Sequence, residues 1–168
     1  MVKARAQGSQ ALRNVLSFTF KHWAEHKWLA VAVSLGMMLA TFTEVIVPVY
    51  AGRLIDALAQ GRAAADVALH AFIAMAALGL TMVVLRHLAW WSIVPFTLRI
   101  MQKVAQGAFH RVQRFSTDWH NNSFAGSIVR KITRGMWALD MINDVLLLGL
   151  LPSLVVLVGT VVLLGHRW

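Results

Sequence analysis

The sequence predicts an all-α, polytopic membrane protein: three long transmembrane helices with helical extensions that leave the bilayer. Its residues are 58% hydrophobic and only 14% charged, and the apolar ones gather into long runs instead of spreading as a soluble core would require. Three such runs, 28–50, 67–95 and 145–165, reach the roughly 20 residues that cross a hydrocarbon core of about 30 Å. The net charge of +9 collects beside those runs, as it does on the cytoplasmic flanks of membrane helices.

Residues 1–27 carry an apolar stripe at Leu12, Val15, Leu16 and Phe20, with Trp23 and Trp28 near its end. This suits a short helix on the cytoplasmic membrane surface, its tryptophans at headgroup level; for residues 1–10 a frayed tail is the equal alternative. No short apolar stretch with a small-residue cleavage site occurs here, so no cleaved signal peptide is expected. With no cysteine in the chain, the redox compartment is unreadable.

The first span, 28–50, ends just beyond Pro48 and is interrupted late by Glu44. A carboxylate is costly in lipid, so Glu44 should face a helix bundle or an aqueous cavity. It is therefore the candidate substrate-pathway residue, the alternative being a structural or outer-interface role. Residues 51–66 form an outer loop with balanced charge, and Asp66 is the expected N-cap of the next helix. Five basic residues against one acidic before residue 28 place the N-terminus in the cytoplasm and this loop outside.

The second span, 67–95, carries His70, Arg86, His87 and the pair Trp90–Trp91. Counting about 20 residues inward from Val67 puts Arg86 near the inner headgroups, where it can snorkel. Glu44 and Arg86 are thus expected at opposite depths and not as an ion pair. Neither histidine has a second ligand at i+3 or i+4, so an interfacial role is expected for both and no metal site.

Residues 96–144 read as a cytoplasmic helical hairpin. Leu98, Met101, Ala105, Ala108, Val112 and Phe115 make one seam, and Ile128, Ile132, Gly135, Leu139, Ile142 and Leu146 make its counterpart. Arms of matching length and seam can pair antiparallel. On residues 96–139, seven basic residues (Arg99, Lys103, Arg111, Arg114, Arg130, Lys131, Arg134) against Asp118 alone fit the positive-inside rule. They sit on a hairpin between spans, without a recognition module, so nucleic acid is not an expected partner. Residues 145–165 are uncharged and form the third span.

The turn between the arms reads Ser116, Thr117, Asp118, Trp119, His120, Asn121, Asn122, Ser123, then Phe124, Ala125 and Gly126, with Ile128-Val129-Arg130-Lys131 after it. This string resembles the first intracellular loop of ATP-binding cassette (ABC) exporters of the fused permease-ATPase kind. In that family two aromatics and an Asn pair lead to a Gly and then a basic residue. Trp119-His120, Asn121-Asn122, Gly126 and Lys131 match in order, and Pro48 with Gly52-Arg53-Leu54-Ile55-Asp56 resembles the end of the family's first membrane helix. Gly135 stands where members often have an acid. Asn121-Asn122-Ser123 is formally a glycosylation sequon, but a cytoplasmic turn is not expected to be modified.

The resemblance implies half of a six-helix exporter transmembrane domain in the inner (cytoplasmic) membrane, pairing with a second transmembrane half as a homo- or heterodimer. Residues 116–123 would be the coupling helix that docks on a nucleotide-binding domain, with Trp119 and His120 as anchors. ATP and Mg would bind in that domain, since this chain holds no G-x-x-x-x-G-K-[ST] phosphate loop and no catalytic set of its own. It would be part of an ATP-hydrolysing translocase without being catalytic alone. Three spans do not enclose a pathway, so a truncated or partial permease is expected. The alternative is a self-contained three-span scaffold or regulatory subunit whose basic hairpin binds a partner or membrane lipid.

Overall fold

The structure is a computed structural model that describes residues 2–115 and 125–167; of residues 2–9, 11, 125, 166 and 167 only the backbone is described. Every element in it is helical: α1 (Val2–Glu25), α2 (Lys27–Ala59), a 3-10 turn (Gly61–Ala64), α3 (Ala65–Gln113), α4 (Ala125–Asp144), a π-helical turn (Val145–Leu150) and α5 (Leu151–Arg167). Lys27–Ala59, Gly61–Gln113 and Gly126–Gly165 are each long and apolar enough to cross a membrane. The chain is a multi-pass membrane protein. At about 1.5 Å per residue, the 49 residues of α3 run more than twice the thickness of a hydrocarbon core, so part of the helix must lie outside it.

Two helices continue past the prolines where the spans were expected to stop. Pro48 lies inside α2 and Pro95 inside α3. Each proline removes one i→i−4 hydrogen bond, which frees the carbonyls of Glu44 and Trp91 respectively. A helix packed among others tolerates this because neighbouring groups can satisfy the freed carbonyl. The expected outer loop is correspondingly shorter than 51–66. Gly61, at φ 70°, is the one described residue with positive φ and makes the turn there. Asp66 is no N-cap: it lies inside the first turn of α3, where its charge meets the positive end of the helix dipole.

The chain divides into two compact units. The first, residues 1–30 and 93–145, combines α1, the last part of α3, and α4. Ile93, Phe96, Thr97 and Ile100 of α3 are buried, with Leu139 and Asn143 of α4 and Thr19 of α1. Farther along, Ala105, Gln106 and Phe109 face Val129, Ile132 and Thr133 across a groove of about 370 Å³, so the two arms line a common cleft.

Three seam residues differ from expectation, and the first, Phe115, is exposed at the end of its arm. Leu98 is exposed, because the buried face of α3 runs through Phe96, Thr97 and Ile100 instead. Gly135 is exposed too, and a Cβ built on it meets nothing within 4 Å. The inner face of α4 passes through Ile128, Ile132, Met136, Leu139 and Asn143. A period of 3.6 residues drifts off a strict heptad over four turns, and here the drift shifts the seam by one residue.

In the second unit, residues 31–92 and 146–168, small residues set the helix spacing. A Cβ on Gly36 of α2 would stand 3.0 Å from the Ala89 Cβ and 3.4 Å from the Leu85 carbonyl of α3. Val33, Met37 and Ala40 are buried on the same face of α2 as Gly36. Backbones approach this closely only across small side chains, the usual glue between membrane helices. Gly159 of α5 does the same against Val45, beside a groove of about 240 Å³ lined by Pro48, Val49, Thr160 and Leu163. Leu154, Leu157, Val158, Val161 and Val162 of α5 are exposed, as faces turned to lipid or to further helices are.

Candidate functional site

Glu44 has a partner. Arg86 donates from Nη2 to its Oε2 at 2.9 Å, which corrects the expectation that the two lie at opposite depths. The contact between Gly36 and Ala89 fixes the antiparallel register, and it sets residue 44 opposite residue 81, five residues from Arg86. That offset is about 7.5 Å along the axes. Side chains on a helix lean toward its N-terminus. In an antiparallel pair, Glu44 and Arg86 therefore lean toward each other and close the gap. The expected depths failed because α2 continues to Ala59 instead of ending at residue 50, which sets Glu44 about 15 residues before the turn, and side-chain reach covers the remaining offset.

The pair is held by one hydrogen bond, not a two-pronged fork, and the Arg86 Nε is buried with no acceptor. Its outer side is open: the side chains of Arg86 and Glu44 are 41% and 53% exposed. Because Pro48 stands four residues after Glu44, the Glu44 carbonyl also lacks its helical donor. One turn before Glu44, the hydroxyl of Thr41 is buried and unpartnered. Polar capacity thus concentrates at one level of α2 and α3. The other ionisable groups of the second span do not join it; His70 turns Nδ1 onto the Asp66 carbonyl at 2.7 Å.

A second constellation lies in the first unit. Trp23 of α1 donates its indole N–H to the Oδ1 of Asn143 on α4 at 2.9 Å, and its ring meets Phe96 of α3 edge-on, centroids 5.9 Å apart. Phe96 and Asn143 are both almost fully buried. Two residues beyond Trp23, Glu25 accepts a hydrogen bond from the Lys103 Nζ of α3 at 2.7 Å. That bond, more than any other influence, holds the Glu25 carboxyl below the ordinary carboxylate range. One tryptophan thus ties together α1, α3 and α4 next to the sequence positions where all three expected spans begin or end.

Sequence reading missed this node. Its only local signal was Asn143, an amide in an apolar seam expected to run through Ile142 and Leu146. The proposed coupling residues Ser116, Thr117, Asp118, Trp119, His120, Asn121, Asn122 and Ser123 lie outside the described residues.

Long helices that outrun the bilayer, small-residue contacts between spans and a polar pair inside them define a helical membrane domain rather than a soluble binding module. The chain belongs to the ABC transporter transmembrane region family, whose model matches residues 31–168. No curated protein and no solved structure matches it. The family implies, in general terms, pairing with a nucleotide-binding domain and dimerisation. The match includes α2 and α3 with the Glu44–Arg86 pair, and both arms of the hairpin.

Proposed function

We propose that this chain is permease machinery of an ATP-driven exporter that moves its substrate out of the cytoplasm by alternating access. The observation that supports it most is the family match across all three spans and the long hairpin between the second and third. In this reading the N-terminus is cytoplasmic in the inner membrane. The basic excess on residues 96–139 supports that orientation.

Residues 116–123 then dock in a groove of the nucleotide-binding domain, with Trp119 and His120 as the anchors; a large aromatic in a pocket is what an interface hot spot requires. ATP and Mg act in that domain. Its closure moves the hairpin, and the hairpin moves the spans around Glu44, the pathway residue. The second transmembrane half is a copy of the same subunit or a related one.

The chain has no cysteine, which makes the docking reading directly testable. A single His120→Cys chain should crosslink to a cysteine placed in the nucleotide-binding domain of the assembled transporter. Failure to crosslink in every nucleotide state, with ATP turnover intact, would reject 116–123 as the docking element.

A further inference from the structure

We propose that Glu44 and Arg86 together select a zwitterionic group, with its ammonium end toward Glu44 and its carboxylate or phosphate end toward Arg86. This rests on the transporter reading above and adds the substrate class. Both residues fall within the expected spans, where ionisable side chains, paired ones included, almost always face a bundle interior or a water-filled cavity, and in this proposal the open side of the pair lies there. Inside such an interior, a purely cationic ligand that takes Glu44 strands the Arg86 guanidinium, and a purely anionic one strands Glu44. Removing one partner of a desolvated pair is the costly event, whereas exchanging pair for pair conserves neutrality at every step. A group carrying both charges is the ligand that does this.

The geometry also makes exchange feasible. A single hydrogen bond holds the pair, and half of each side chain is accessible. Arg86 gives Glu44 only one of its guanidinium N–H donors, so the accessible Nη end keeps donors for an anionic oxygen. The Glu44 carbonyl, released by Pro48, offers an ammonium N–H a second acceptor beside the carboxylate. Freed carbonyls at a helix break serve cations in the same way in other transporter architectures.

The test uses the chain assembled with its transporter partners in nanodiscs of phosphatidylglycerol, which has no zwitterionic headgroup, and measures equilibrium binding without nucleotide. The probes are lauroyl lysophosphatidylethanolamine, dodecylammonium, dodecyl phosphate and the soluble headgroup glycerophosphoethanolamine. The lipid-like zwitterion should bind at least about tenfold more tightly than either singly charged amphiphile, the scale of one lost charge-assisted hydrogen bond. Binding of glycerophosphoethanolamine as well supports a soluble zwitterion, and binding of the acylated form alone supports a lipid. Glu44→Gln and Arg86→Gln should each lower zwitterion affinity about tenfold. The reversed pair Glu44→Arg/Arg86→Glu should keep the preference to within about threefold, which also controls for folding. Equal binding of dodecylammonium and the zwitterion, or neutral variants that bind as the parent does, would overturn the proposal. Because binding is read without nucleotide, that failure is separable from an absence of ATP-driven movement, which would instead reject the transporter reading.

Discussion

Trp23 and Asn143 stand 120 positions apart and are joined by a 2.9 Å hydrogen bond. Asn143 is 1% exposed, and its Nδ2 has no partner, so the contact with Trp23 anchors a buried amide through its oxygen. The relation joins the helix before the first span to the helix that leads into the third. A hydrogen bond buried this deeply contributes modestly in itself, but its loss leaves a desolvated polar group behind.

Trp23→Phe should therefore destabilise the chain by about 1–3 kcal/mol, since the ring is largely kept and the Asn143 Oδ1 is orphaned. Asn143→Leu should cost a similar amount by orphaning the indole N–H. The double variant, with both polar groups gone, should be less destabilised than the sum of the two. Thermal denaturation of the purified protein in one detergent checks all three. Strict additivity would mean that the two side chains do not interact in solution.

Acid should weaken the Glu25–Lys103 contact. Glu25 has a folded pKa below its unfolded one, so it contributes stability that is fully present above the unfolded carboxylate value and is lost as pH falls through the folded one. The contact lies at the surface and is screened by salt, so the effect is small. Parent and Glu25→Gln melting temperatures should differ near neutral pH and converge in acid; a gap that widens in acid would reverse the sign.

Gly36 and Gly159 should respond differently to a methyl group, although each would place its Cβ 3.0 Å from a neighbour. At Gly36 the neighbours are the Ala89 Cβ and the Leu85 backbone carbonyl, which cannot rotate away. At Gly159 the neighbour is a Val45 γ-methyl, at the end of a side chain. Gly36→Ala should cost about 1–3 kcal/mol by overpacking, in spite of the better helix propensity of Ala. Gly159→Ala should be near neutral, since the helix gains up to about 1 kcal/mol when Gly is replaced by Ala. Comparing the two melting temperatures tests whether α2 and α3 pack in the register that also brings Glu44 to Arg86.

The spans were legible in the sequence because hydropathy is additive along a helix, and 21 uncharged residues at 145–165 need no partner to identify them. The candidate site was legible only in part. Glu44 stood out as an acid in an apolar run, but finding Arg86 required the interhelical register, which Gly36 and Ala89 set and which no local pattern contains. Trp23 read as an interfacial tryptophan, and its bond to Asn143 is a long-range pairing invisible to periodicity. The seam of α4 was nearly right: Gly135 and Met136 are adjacent, and only the accumulated drift of the helix decides between them. The π turn at Val145–Leu150 was not foreseen. Pro152 accounts for it locally, because it has no N–H for the Leu148 carbonyl, and Ser153 donates its hydroxyl to the Gly149 carbonyl at 2.8 Å.

The most direct test of the permease reading is the ratio of transport to ATP turnover in the assembled transporter carrying Trp119→Ala, once a zwitterionic substrate has been found with the binding assay. Loss of the aromatic anchor should lower transport per ATP hydrolysed by about tenfold or more, the scale of a hot-spot residue, while the melting temperature stays within about 2 °C of the parent. An unchanged ratio of transport to ATP turnover would contradict coupling through residues 116–123.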